Sequence, residues 1–184
     1  MAVSHTGAIA GNDAVYEAVF RAYGVHRVAD MDEMAATLAL FDTSRKPAPG
    51  QLGSIHDSGG ERELIVDIAE DYGIEFAALE PATRRALATH LEPGLVAENP
   101  LDAFGTHNDL ENRFAALIAA LVNDPNVGIG LFMSNPRDGY EYAESYSRAV
   151  MKAAQMTDKP LALASNYSMA GDSCLLYTSP SPRD

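Results

Sequence analysis

Three places in the 184-residue chain combine residue types that could do chemistry. The first is His5, within Ser4-His5-Thr6-Gly7, in a small-residue loop ahead of a helix start at Asn12. Imidazole is largely unprotonated at physiological pH and can act as a nucleophile. Gly7 beside it would let backbone amides approach an anion closely. The alternative is an uncommitted surface histidine in a polar loop, and the residues alone leave both open. The second place is Asp57-Ser58-Gly59-Gly60, which joins the end of an expected strand to a helix. Parallel sheets bind ligands beyond the carboxyl ends of their strands, and unpaired amides at a helix N-terminus attract phosphate. Ser58, Gly59 and Gly60 are therefore candidate phosphate-binding residues, the alternative being a plain capping turn. A hydrolase elbow at Ser58 fails, because Gly-x-Ser-x-Gly needs glycine where this chain has His56. The third place, Asn99-Pro100-Leu101-Asp102, has the composition of an Asx turn and needs no ligand.

The remaining chemistry-bearing residues form no pattern. His26, His56, His90 and His107 lack metal-ligand spacing and read as structural or surface residues. Cys174 is the single cysteine, which excludes an internal disulfide and a thiolate zinc site. Tyr140, Tyr142 and Tyr146 fall in an expected helix, with 142 and 146 on one half-buried face.

The elements that must position these residues follow from periodicity. Asn12 caps a helix of about three turns closed by Gly24, residues 25–28 read as a short strand, and Asp30 with Glu33 opens a helix to Phe41. Thr43 to Gln51, with Pro47, Pro49 and Gly50, reads as a linker. Beyond it the expected order is a strand over 52–56, a helix over 61–72 closed by Gly73, and a strand over 74–77. A helix from Pro81, a loop at 99–102, a helix over 109–122, a strand over 127–133, a helix over 139–156 and a strand from Pro160 complete it. Strands alternating with helices imply right-handed crossovers and a three-layer parallel sheet, with a flavodoxin-like layout as the best match.

Composition narrows the class. With 26 acidic against 13 basic residues, the formal charge is −13, and nothing forms a basic nucleic-acid footprint. No apolar run approaches the ~20 residues of a bilayer span, and no signal pattern opens the chain. A soluble cytoplasmic protein with no membrane or nucleic-acid partner is the expectation. Residues 174–184 resemble one reading frame of a transposase adapter used in sequencing libraries, the alternative being a disordered Ser-Pro tail; they are left out of the fold reading. An adapter there implies a truncated parent.

Taken in order, the run from Ser4 to Asp13, the Asp30 to Glu33 helix start, the proline-rich linker, Ser58-Gly59-Gly60, Asn99-Pro100-Leu101-Asp102 and the turn Asp124-Pro125-Asn126-Val127 resemble the NDP-forming acyl-CoA synthetases, relatives of succinyl-CoA synthetase. The resemblance implies that residues 1–42 are the C-terminal part of a succinyl-CoA-ligase-like α/β domain, 43–51 a linker and 52–173 a truncated flavodoxin-like ligase-CoA domain. It implies that His5 is transiently phosphorylated, with Gly7, Ser58, Gly59 and Gly60 around the phosphate. It further implies an acid–thiol ligase interconverting acyl-CoA, ADP and phosphate with carboxylic acid, CoA and ATP. The full-length parent would use ATP or ADP, CoA and Mg2+, act on a small carboxylic acid, join CoA-binding and ATP-grasp domains in the same chain or a partner subunit, and form an oligomer. The fragment alone would be inactive. The sequence departs from the family at Glu61, where relatives often carry a small residue; its carboxylate could cap the helix or weaken its pull on phosphate. A non-catalytic flavodoxin-like binding or subunit-contact module is the competing reading.

Overall fold

The structure is a computed structural model that describes residues 12–104, 108–135 and 139–165. His5, Gly7, His107 and the 174–184 tail lie outside the described residues. The chain divides into two compact units, residues 1–42 and 43–184.

In the first unit, the Asn12 side chain accepts a bond from the Ala14 amide at 2.9 Å and opens α1, Asp13–Ala22. Gly24 follows in the left-handed region, φ 66°, where glycine pays no steric cost. Helix α2, Met31–Phe41, starts on Asp30, whose carboxylate accepts from the Glu33 amide at 2.8 Å, while Glu33 reaches back to the Ala29 amide at 2.5 Å. That is close to the expected acidic capping box, with the return bond made to the amide one residue before the cap. Residues 25–28 carry no strand, contrary to the sequence expectation. A strand needs a partner to satisfy its backbone, and none of the described residues pairs with this segment.

The second unit holds a parallel sheet in the order β2-β1-β3-β4, built from β1 (Gln51–His56), β2 (Leu101–Asp102), β3 (Val127–Met133) and β4 (Leu161–Ala164). Its helices are α3 (Gly59–Tyr72), α4 (Pro81–Ala88), α5 (Leu110–Val122) and α6 (Ala143–Ala154). Right-handed crossovers put α3 on one face and α5 with α6 on the other, the flavodoxin-like arrangement. The core lies on the α5 side. There Phe114, Phe132 and Tyr146 meet with ring centroids 4.9 to 5.6 Å apart, contacts worth about 0.5–1.5 kcal/mol per pair beyond area burial. Gly53 and Gly130 are register partners beneath this helix; a Cβ on Gly53 would stand 2.5 Å from Leu121, so the glycine pair lets α5 sit directly on the strands.

The strand beside β1 is made in two pieces. At the start of β1, the expected 74–77 strand reduces to a single bridge between Leu52 and Phe76. At its end, the expected loop at 99–102 contains β2 instead, after a cis Asn99–Pro100 bond. Helix α4 is inserted between the pieces. Asn99 spans the gap: its Oδ1 accepts from the Ser54 amide at 2.9 Å, and its Nδ2 donates to the carbonyls of Leu52 and Ala77 at 2.8 and 3.0 Å. One side chain thus supplies ladder bonds that a continuous strand would have made. Arg62 of α3 holds the same turn, donating to the Pro100 carbonyl at 3.0 Å and to Glu98 at 2.7 Å.

At the other end of the sheet, Asp124 of the Asp-Pro-Asn-Val turn accepts from the Glu80 and Asn126 amides at 2.8 and 2.9 Å. Lys159 donates to the Asp124 and Val127 carbonyls, both at 2.6 Å, tying the start of β3 to the approach of β4. The expected 139–156 helix is shorter, because Tyr142 is its N-cap residue and Tyr140 precedes it; only Tyr146 of the three tyrosines is helical and buried.

Replacing Asn99 with alanine leaves the fully buried Ser54 amide without its acceptor. The expected cost is about 2–4 kcal/mol in unfolding free energy, read as a lowered denaturant midpoint with an unchanged slope.

Candidate functional site

Strand β1 delivers the chain into α3 at the position where the crossovers diverge, between β1 and β3. In parallel sheets that crevice receives ligands. His56 ends β1, Asp57 follows, and Ser58 caps α3, accepting from the Glu61 amide at 3.4 Å. The first-turn amides of Gly59 and Gly60 have no intrahelical acceptor. A Cβ on Gly60 would meet nothing within 4 Å, so that glycine faces open space, while a Cβ on Gly59 would come 3.2 Å from the Asp102 carboxylate at the end of β2. The structure therefore brings Ser58, Gly59 and Gly60 together at a free helix N-terminus. His5 and Gly7 stay outside what it describes.

The surroundings were less legible. Ser58-x-x-Glu61 has the composition of a capping box, whose glutamate should return a bond to the cap. Here Glu61 is only 4% exposed, and its carboxyl meets the carboxylate of Asp57 and returns no bond to the cap. It lies on the stripe Glu61, Ile65, Ala69 that α3 turns toward the sheet. Burial, and then the neighbouring Asp57 carboxylate, push its pKa up from 4.5 to about 9, so the side chain is a neutral acid at pH 7. The doubt attached to it from sequence is thus answered on the second count: it adds no charge at neutral pH to oppose the helix's positive end. It does not cap.

His56 is fully buried, with Nε2 2.7 Å from the Ser54 hydroxyl and Nδ1 without a partner. Burial, reinforced by the Arg62 charge, lowers its pKa from 6.5 to about 4 and keeps the ring neutral. Of the other histidines, His26 and His90 are exposed. From β3, Ser134 donates to Asp57 at 3.1 Å, and the neighbouring Asn135 has a buried, unpartnered side-chain oxygen. Tyr146 of α6 adjoins Asp57, and burial followed by that charge raises its pKa, so it remains a phenol. Apart from Glu61, whose carboxyl meets Asp57, and two nitrogens of Arg113 on α5, every buried side-chain polar atom without a partner among the described residues belongs to His56 or Asn135, at the carboxyl ends of β1 and β3. No group of three or more His, Cys, Asp or Glu among the described residues could hold a metal ion, and no described helix is long and apolar enough to cross a membrane.

Two signals for these residues were present in the sequence. Ser54 and His56 are two apart on a strand and so share one face, and Glu61 falls on the buried phase of α3.

Comparison with known proteins gives consistent matches. Residues 1–41 match the family model of the succinyl-CoA ligase like flavodoxin domain. An ADP-forming acetate–CoA ligase of Methanocaldococcus jannaschii is 35% identical over 104 residues, 56% of this chain and 15% of the relative. The alpha subunit of ADP-forming acetate–CoA ligase II from Pyrococcus furiosus is 32% identical over 128 residues, 70% of this chain and 27% of that one. The chain thus spans well under a third of either relative. The solved dinucleotide forming acetyl-coenzyme A synthetase 1 of Ca. Korarchaeum cryptofilum, in complex with phosphate and ADP, superposes with a TM-score of 0.70 at 22% identity, over 89% of this chain and 35% of that one.

The His56 shift has a definite sign. Between pH 6.5 and about 4 the unfolded chain holds a proton that the folded ring refuses, so stability falls with acidification through that window. The loss attributable to this residue is about 3 kcal/mol. A His56→Gln variant, compared by chemical denaturation at pH 7 and pH 4, is expected to show a correspondingly smaller drop.

Proposed function

We propose that this chain belongs to the NDP-forming acyl-CoA synthetases, as its likeness to ADP-forming acetate–CoA ligases over more than half its length supports, and that it is a segment of an acid–thiol ligase in which His5 carries a phosphoryl group and the N-terminus of α3 is an anion-binding helix start. On this reading residues 1–42 end a succinyl-CoA-ligase-like domain and residues 52–173 belong to the flavodoxin-like domain that follows.

The observation that carries the reading is the free N-terminus of α3: a serine cap, two glycines without side chains, and open space over Gly60 at the carboxyl edge of the sheet. Phosphoryl transfer asks a protein mainly to position groups and stabilise charge. A helix start does both with amides and about half a positive charge, using no lysine or arginine. An acidic chain can hold a phosphate this way although its overall field repels polyanions.

In the forward direction, acyl-CoA and phosphate give an acyl phosphate and free CoA. The His5 imidazole then attacks phosphorus, the P–O bond to the acyl group breaks, and the carboxylic acid departs. ADP takes the phosphoryl group from the imidazole nitrogen to make ATP. Glycine at position 7, having no side chain, would let nearby amides approach the transferred oxygens. The parent would use Mg2+ with the nucleotide; the described residues supply no donor set for it, and no step here runs through the metal. CoA and nucleotide would be brought by the CoA-binding and ATP-grasp domains of the parent, and without them covalent transfer to His5 in this segment alone is slow.

Incubated with γ-labelled ATP, the full-length ligase is expected to gain a phosphate that is labile in acid and stable in base. His5→Ala should abolish the label while leaving the circular dichroism spectrum unchanged. Label retained in that variant removes His5 from the mechanism and favours a binding or subunit-contact role for this segment.

A further inference from the structure

Residues 43–51 read from sequence as a linker, yet most of that stretch is fastened to the amino edge of the sheet. Arg45 donates through both terminal nitrogens, Nη2 to the Ala154 carbonyl at 2.7 Å and Nη1 to the Lys159 carbonyl at 3.4 Å. Ala154 is the last residue of α6, so its carbonyl has no acceptor role within the helix, and Arg45 satisfies it. Three residues on, the Ala48 amide donates to the Gly128 carbonyl at 3.1 Å, and the Gln51 amide then donates to the Asn126 carbonyl at 2.8 Å. The chain therefore crosses from the end of α6 to the start of β3 before it enters β1.

Two glycines record how closely the segment lies. A Cβ on Gly128 would stand 2.5 Å from the Ala48 carbonyl oxygen and 3.0 Å from that of Gly50, and one on Gly50 would stand 2.5 Å from the Asn126 carbonyl oxygen. Backbone passes over backbone there, with no room for a side chain between. Pro47 and Pro49 stiffen the piece between the anchors, since each fixes its own φ, restricts the residue before it and leaves no amide to satisfy. On the other side, the Asp42 amide closes α2 by donating to the Leu38 carbonyl, and the Arg45 amide donates to the Thr43 hydroxyl at 3.2 Å.

We propose that residues 45–50 are a docked strap with Arg45 as its lock, so that the free tether leading to the first unit is only Thr43 and Ser44. A flexible linker of about nine residues would have a root-mean-square span of roughly 16 Å, whereas two residues reach about 7 Å at most. The strap thus turns a leash into a short hinge. Arg45 suits the task, because its rigid fork lets one side chain bind two carbonyls and its positive charge complements the negative end of α6. Under the proposed function the short tether also limits how far the phosphoryl carrier His5 travels from this sheet; the strap itself does not depend on that reading.

The test is backbone amide relaxation, measured by NMR on the 184-residue chain. The amides of Arg45, Lys46, Ala48 and Gly50 are expected to have order parameters matching those of β1, about 0.85, against values under about 0.6 for a free linker. Arg45→Met keeps the aliphatic stem and removes the donors; the amides at positions 45 and 46 should then fall below about 0.6 while β1 and α6 keep their values. Gly128→Ala drives a methyl group against the Ala48 carbonyl and should loosen positions 48 and 50. Wild-type order parameters below about 0.6 across 45–50 overturn the strap. A wild-type segment that is rigid and stays rigid in Arg45→Met overturns Arg45 as its lock. Should Arg45→Met fail to fold, Arg45→Lys, which keeps the charge and loses the fork, decides the same point: an intermediate loosening supports the lock and an unchanged segment removes it.

Discussion

Strand β1 lies between two neighbours, so each of its backbone donors and acceptors must be met inside the protein. That obligation organises the second unit. On one side β3 pairs in register along almost the whole strand. On the other, helix α4 interrupts the neighbouring strand, and the Asn99 amide carries the ladder across the break. The splice lets β1 keep its course to His56, and it is that course which sets the point where α3 begins. Arg62 closes the arrangement from the helix side, binding the turn that presents Asn99.

The chemistry at the carboxyl edge follows from where charge is permitted. The chain is acidic, and at the start of α3 burial keeps one of its carboxyls, Glu61, protonated beside Asp57. The same burial, reinforced by the nearby Arg62 charge, keeps His56 neutral. Glu61, which would be charged in water, is thus neutral at pH 7, and His56 stays neutral down to about pH 4. A site assembled from amides and neutral donors suits a group that must arrive, be held briefly and leave, since a lysine or arginine there would hold it more tightly.

Much of the fold was legible from local pattern. The helix starts at Asp13, Met31 and Leu110 and the strand Val127–Met133 follow from caps and apolar periodicity, which short-range sterics and hydrogen bonding enforce. The misreadings occurred where long-range pairing decides. Residues 25–28 have strand composition without a strand partner, residues 74–77 are limited to one bridge, and the Asn-Pro turn proved to be the entrance to β2. The site divides in the same way. Ser58, Gly59 and Gly60 were recognisable because a cap and two glycines between strand and helix are a local signature. His56 reads from sequence as a structural or surface histidine and is the first of these, while the burial of the Glu61 carboxyl has no local signature strong enough to show its protonation state.

By itself, then, the order of residues determined much of the succession of elements, the serine-capped glycine turn that opens α3 and the family resemblance, since each depends on neighbours a few positions apart. Only the tertiary structure decided that Asn99 mends a strand 45 residues away, that the carboxyl of Glu61 lies buried against Asp57 and stays protonated, and that His56 resists protonation. The reason is physical: a proton's affinity for a side chain, and the completeness of a ladder, are set by which distant groups exclude water from it, and no short stretch of chain contains that information.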